Sequence, residues 1–134
     1  MILSQKLYQG LIVGVDTAPL IYLVEKHPLY FNKMMVVMQA LVARKITAIS
    51  TMLTLTEVLT HPLRQGNMAL VKQYDAILQH SKSFQLMPLD ASIARKAAEL
   101  RAIYHLHTPD AIQIATCIQT GCDAFLTNDR GLKR

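Results

Sequence analysis

The sequence predicts an α/β domain in which a mostly parallel sheet is covered by helices on both faces. Three observations carry that expectation. Four short apolar runs, "LIVGV" (11–15), "ITAIS" (46–50), "FQLMPL" (84–89) and "AFLT" (124–127), are spread along the chain. Each has the length and flanks of a strand buried on both faces. Helical patterns separate them, and strand–helix alternation argues for a parallel sheet because parallel neighbours need a crossover connection.

The elements follow in order. "MILSQKLYQG" (1–10) precedes the first strand and reads as a flexible start or as an arm that packs on a partner. The first strand, 11–15, stops at Asp16. Next comes a helix rich in Met34, Met35 and Met38, a soft surface suited either to a partner or to packing on the sheet. Strand 46–50 leads into a helix carrying Glu57, and a further helix starts near Asn67 with Leu70, Val71, Tyr74, Ile77 and Leu78 on one face. After strand 84–89, Asp90 is placed to cap a helix whose apolar face is Ile93, Ala94, Ala97, Leu100 and Tyr104. "HTPDAIQIA" (107–115) starts the last helix, with Thr108 as cap and Pro109 as first helical residue, and Gly121 ends it. Asp123 reads as a turn residue before strand 124–127.

A chain of 134 residues, 51% apolar, makes one domain that buries roughly two-thirds of its unfolded surface. The longest apolar stretch, "MMVVMQALVA" (34–43), is too short for a bilayer, and Lys6 and Asp16 break up any export signal. A soluble, cytoplasmic protein is expected. Cys117 and Cys122 are too few for a disulfide framework and lack the partners of a zinc site, so Cys117 reads as a small buried residue in a reducing compartment. The net charge of +5 and pI near 9.4 favour a polyanionic partner, nucleic acid ahead of a membrane. Aromatic residues are not interleaved with basic ones, so no base-stacking platform is visible.

In open parallel sheets, ligands bind beyond the carboxyl ends of the strands. Asp16 follows "LIVGV" directly, and Asp129 follows "AFLT" by two residues. Glu57 lies about two turns into the helix after the second strand and, four residues after Leu53, leans toward the buried face. Asp110 opens a helix whose buried face includes Ile114, Cys117 and Ile118. Four acids are therefore expected at one rim. Each has a local alternative: Asp16 as a turn former before Pro19, Glu57 in a surface ion pair, Asp110 as an acid at the helix dipole's positive end, Asp129 as the cap of a short terminal helix. Their convergence needs more explanation. Two carboxylates about 4 Å apart repel by roughly 4 kcal/mol at an effective dielectric near 20, so such a cluster holds a proton or a cation.

Oxygen ligands without His or Cys favour Mg2+ or Mn2+. In a basic protein the matching substrate is a phosphodiester, for which one or two ions would position a water, lower its pKa and stabilise the leaving oxygen. Asp16 and Asp110 are the first candidates for metal ligands. Glu57 and Asp129 would complete the coordination, orient the water or act as base. Thr17, Thr127 and Asn128 are placed to hydrogen-bond these carboxylates or a phosphate. The five histidines share no ligand spacing. His105 and His107 read as loop residues, and Arg101 either faces the acids or makes a structural ion pair.

The segments "VDTAPLIYL", "STMLTLTEVLTHPLR", "LDASIARKAAELRA" and "TPDAIQIATCIQTGCDAFLTNDRGL", in this order, resemble PIN-domain ribonucleases, especially VapC-type toxins of toxin–antitoxin pairs. The resemblance runs from about Leu11 to the C-terminus. It implies a three-layer α/β/α PIN-like sandwich with a central sheet of four or five strands. The family's acid quartet falls on Asp16, Glu57, Asp110 and Asp129. Magnesium- or manganese-dependent cleavage of RNA, a homodimer and an antitoxin partner follow from the same resemblance. Family members usually continue into a last edge strand, whereas this sequence stops at Arg134. Residues 1–134 are expected to form one such domain. The competing functions are a housekeeping RNA-processing nuclease, a receiver-like phosphoacceptor domain, and a catalytically silent binding module. The receiver-like reading calls for an acidic pair after the first strand, where only Asp16 stands.

Overall fold

A computed structural model describes residues 11–43, 46–82 and 84–127. The elements are β1 (Leu11–Val15), α1 (Thr17–Val24), α2 (Phe31–Val42), β2 (Ile46–Thr51), α3 (Met52–Gln65), α4 (Met68–His80), β3 (Phe84–Met87), α5 (Ala91–Tyr104), α6 (Thr108–Thr120) and β4 (Ala124–Leu126). The strands form one sheet in the order β3-β2-β1-β4, and every pairing is parallel. The expected α/β class and mostly parallel sheet are present, with four strands among the described residues. Residues 1–10 lie outside the described part of the chain.

Alternation along the strands sends side chains to two different helical layers. Val13 and Val15 of β1, with Ile46 and Ala48 of β2, join Leu20, Val37, Val58, Tyr74 and Leu78 in a core under α1 to α4. The opposite face lies beneath α6, which also packs against α5 through Ile93, Ala97 and Leu100 on one side and Ala111, Ile112 and Ala115 on the other. Gly14 allows the closest approach on this face. A Cβ there would collide with Cys117 Sγ of α6 and lie 2.9 Å from Phe125 Cδ1 of β4. The absent side chain lets α6 settle directly on the central strand.

Local signals placed most element ends correctly. Asp90 Oδ1 accepts from the Ile93 amide at 2.9 Å, the cap the sequence suggested, and Asn67, near which a helix start was expected, caps α4 by accepting from the Leu70 amide at 3.2 Å. Gly66 and Gly121 end α3 and α6 at φ of 70° and 72°, in the left-handed region that favours glycine. Four boundaries differ, one of them the end of β4, which stops at Leu126 rather than at residue 127. β3 ends at Met87, since Pro88 has no amide for the ladder, whereas β2 runs one residue further, to Thr51. The cap position of α6 is His107, and Thr108 is already helical. Proline is accommodated throughout a first turn, so the Thr-Pro pair left two starts open. Met34 is buried, while Met35 and Met38 are half-buried, so this stripe largely packs on the domain itself.

Cys117 is buried, as expected, but it is also paired. Cys117 and Cys122 form a disulfide, with Cα atoms 5.0 Å apart. The helix end brings them together: past the left-handed Gly121, the Cys122 amide donates to the Cys117 carbonyl at 2.9 Å. Asp123 is more than a turn residue, because its Oδ2 accepts from the Ile12 amide at 2.8 Å and ties the entry of β4 to β1. No helix among the described residues is long and apolar enough to cross a membrane.

Candidate active site

The carboxyl ends of β1 and β4 meet around Asp16. Its amide donates to the Leu126 carbonyl at 2.9 Å, which holds the exit of β1 against β4. Its side chain is fixed at both oxygens. Oδ1 accepts from the Thr17 amide at 2.8 Å, capping α1, and Oδ2 accepts from the Thr127 hydroxyl at 2.8 Å. Asp16 is therefore a helix cap rather than a simple turn former, and Pro19 sits inside the first turn of α1, where it is tolerated. A short polar residue at a strand end that begins a helix gives a carboxylate with few rotamers left to choose.

Glu57 reaches this point from α3. Its Oε1 accepts from the Thr17 hydroxyl at 3.0 Å. Thr17 thus serves two acids at once, Asp16 through its amide and Glu57 through its hydroxyl. Contrary to the expected lean toward the buried face, Glu57 is exposed; the buried position is Thr54, one turn earlier. Thr54 Oγ1 lies 3.5 Å from Thr17 Oγ1 and accepts from Gln113 Nε2 of α6 at 2.7 Å. Asp110, half-buried in the first turn of α6, stands three residues before Gln113 and shares its helix face.

Sequence reasoning identified Thr17 and Thr127 but missed Thr54 and Gln113, both buried. The available signal was a polar residue embedded in an apolar helical run, Gln113 within "AIQIA" and Thr54 within "MLTLT". A buried amide or hydroxyl is costly without a partner, so such a residue marks a contact that its own element cannot supply.

The charge balance is uneven. Among the described residues, Lys96 and Glu99 form an ion pair at 3.8 Å on α5, and no basic side chain pairs with Asp16 or Glu57. Arg101 Nε donates to the Leu106 carbonyl at 3.1 Å, and among the described residues it makes no ion pair. His105 ends α5 in a left-handed conformation at φ 57°. The acids present hard oxygen donors, a set that suits Mg2+ or Mn2+. Even so, no three His, Cys, Asp or Glu side chains among the described residues stand close enough together to hold a metal ion. The expected convergence of all four acids includes Asp129 and so reaches beyond the described residues. What is described is two acids joined through Thr17, with Asp110 connected through the helix face of Gln113. Asp129 and Asn128 lie outside the described residues.

A separate apolar cavity of about 230 Å3 lies under α1, α2 and α4, lined by residues including Val15, Leu20, Met34, Val37 and Phe84. It carries no acid or base and offers nothing to phosphodiester chemistry.

Comparison with known proteins bears on this arrangement. A search of the curated proteins finds no match. Among solved structures, a chain of a toxin–antitoxin complex from Klebsiella pneumoniae is similar at TM-score 0.68 and 21% identity, covering 90% of both chains. VapC20 of Mycobacterium tuberculosis, described as a sarcin–ricin-loop-cleaving toxin, is similar at TM-score 0.69 and 18% identity, covering 88% of this chain and 90% of its own. VapBC2 from Rickettsia felis, bound to a DNA fragment from its promoter, gives TM-score 0.67 and 16% identity over 92% of each chain. At these identities the likeness is one of fold. The family model of the PIN domain matches residues 13–134, from inside β1 to the last residue, and the chain belongs to the PIN-domain family.

Proposed function

We propose that this protein is a divalent-metal-dependent endoribonuclease of the VapC type, the toxin of a toxin–antitoxin pair. One observation carries the reading most directly. Thr17 fixes two carboxylates at the end of the central strand, and no described basic side chain neutralises either. Carboxylates held in place with no basic partner among the described residues suit a metal ion, and oxygen donors select Mg2+ or Mn2+. Asp16, Glu57, Asp110 and Asp129 are the proposed ligands and catalytic acids. Thr17 and Thr127 orient them, and Asn128 is a further candidate to bind a carboxylate or phosphate.

When bound, the ion would polarise the scissile phosphate and make water a better nucleophile near neutral pH. The chain's own residues supply position. Asp16 is held at both oxygens, and its short link to β1 keeps it on the rigid part of the fold. Glu57, exposed and held at one oxygen, is the acid free to orient the attacking water or accept its proton. The net charge of +5 draws a polyanion such as RNA toward the acids without cancelling them. Likeness in fold to VapC20, VapBC2 and the Klebsiella complex supports the toxin assignment and an antitoxin partner; a homodimer and a cytoplasmic site of action are parts of the same proposal.

The test is cleavage of labelled structured RNA with millimolar Mn2+, comparing the natural protein with Asp16→Asn and Asp110→Asn. These substitutions keep shape and remove charge; at position 16 the new amide nitrogen can no longer accept and would instead donate to the Thr127 hydroxyl, which turns to accept it. Both variants are expected to unfold like the natural protein and to cut at less than about 1% of its rate, a barrier increase of roughly 2.7 kcal/mol or more. Cleavage at the natural rate in either variant would refute its assignment. Absence of cleavage in the natural protein, with no Mn2+ binding, would favour a silent binding module.

A further inference from the structure

Buried in α6, Gln113 touches neither Asp16 nor Glu57, yet the direction of its hydrogen bond bears on both. Resting on the metal-nuclease reading above, we propose that Gln113 is a positioning residue. Its amide sets the direction of a hydrogen-bond chain through Thr54 and Thr17 that holds Glu57 and Asp16 in the arrangement a divalent ion requires.

The chain has a sense. An amide nitrogen can only donate, so at 2.7 Å Gln113 Nε2 makes Thr54 Oγ1 the acceptor. The Thr54 proton is then left for Thr17 Oγ1, 3.5 Å away and at the long end of hydrogen-bond distances. Thr17 in turn directs its own proton to Glu57 Oε1 at 3.0 Å. An ionised carboxylate only accepts, so every donor points from the amide toward the acid, and links of one sense strengthen one another. The Thr17 amide meanwhile holds Asp16 Oδ1 at 2.8 Å. Whatever fixes Thr17 therefore fixes both acids.

Burial makes the direction persistent. Thr54 is 0% and Gln113 4% exposed, so water does not compete for either group. Gln113 lies among Ala111, Ile112 and Ala115, all buried, where an apolar side chain of the same length would pack without any need for a partner. The bond also spans two elements, α6 to α3, and α6 carries Asp110 one turn before Gln113. The same amide thus sets the first turn of α6 against the helices bearing the other two acids. Residues one step behind a metal ligand commonly change affinity for the ion without contacting it.

The test reads metal binding directly, without RNA. Loss of the six-line electron paramagnetic resonance signal of free Mn2+ gives the affinity of each folded variant. Gln113→Met keeps length and removes the donor; Thr54→Val keeps shape and removes the hydroxyl; Thr54→Ser retains it. The first two should bind Mn2+ about 10-fold more weakly than the natural protein, and Thr54→Ser about as tightly. In RNA cleavage, Gln113→Met should lower kcat with KM little changed. A purely structural role instead predicts lower unfolding temperatures with unchanged Mn2+ affinity, and that result would overturn the proposal. If Gln113→Met does not fold, the Thr54→Val and Thr54→Ser pair decides on the same criterion. Asp16→Asn separates the two levels. Loss of Mn2+ binding there with natural affinity in Gln113→Met removes only the role of Gln113. Natural affinity in Asp16→Asn removes the metal site and this proposal with it.

Discussion

Replacing Gly14 by alanine tests how closely α6 rests on the sheet. The new Cβ would fall inside the contact distance of Cys117 Sγ, 2.9 Å from Phe125 Cδ1 and 3.4 Å from Cys122 Sγ. None of these atoms can easily withdraw. The two sulfurs are tied to each other, and Phe125 sits in β4, paired with β1 in register at Gly14 itself. Inserting one methyl into a packed core costs about 1–3 kcal/mol, and contact with three constrained atoms places this case near 3. At about 4 °C per kcal/mol for a domain of this size, the melting temperature should fall by roughly 12 °C. Circular dichroism of the oxidised protein reads that shift. Gly121→Ala supplies the scale: nothing lies within 4 Å of a Cβ there, and only the left-handed φ of 72° opposes it, a cost of about 1–2 kcal/mol. Adding Cys117→Ala to Gly14→Ala removes the worst collision, so the double variant should lose less than the sum of the single changes. A Gly14→Ala protein melting within about 2 °C of the natural one would refute this packing.

Two further predictions concern stability. Tyr74 is fully buried and its hydroxyl donates to Glu25 Oε2 at 2.5 Å; burial first, and the Glu25 carboxylate second, hold its pKa well above the ordinary phenol value. The folded state binds this proton more tightly than the unfolded chain, so the contribution is intact below about pH 10 and is lost as pH rises beyond it. Between about pH 9 and 11 the natural protein should therefore lose more stability than Tyr74→Phe, and parallel curves would show that the phenol plays no part. The Cys117–Cys122 bridge closes a loop of sequence separation 5, worth about 2 kcal/mol by chain entropy, so reduction should lower the melting temperature by roughly 8 °C. Thiol titration of the denatured, unreduced protein should find no free cysteine; two reactive thiols would contradict the pairing.

Much of the scaffold was legible because strands covered on both faces must be short, apolar and separated by helices. Asn67, Asp90 and Gly121 marked helix ends through chemistry confined to neighbouring residues. The positions of Asp16 and Glu57 were legible for a different reason: Asp16 stands just past a buried strand, Glu57 lies on the helix that leaves the next one, and a parallel sheet brings its strand ends to one edge. What stayed hidden depended on pairing. The Gln113 bond to Thr54 spans 59 positions, and no local pattern says which of two buried polar residues will meet. Cys117 and Cys122 lie close in sequence, yet their pairing depends on the left-handed turn at Gly121, which periodicity does not report. The exposure of Glu57 was missed for a third reason. Spacing from Leu53 placed it near a boundary between faces, and Thr54 occupies the buried side.

The central claim is that the carboxylates fixed at the end of β1 work by holding a divalent ion for RNA hydrolysis. Its most direct measurement is the rate of RNA cleavage by protein stripped with excess EDTA and then titrated with Mn2+ or Mg2+. The account predicts no cleavage in EDTA and a rate that rises with the metal and saturates as the Mn2+ resonance signal reports the site filling. Undiminished cleavage in EDTA, or no cleavage at any metal concentration, would contradict it.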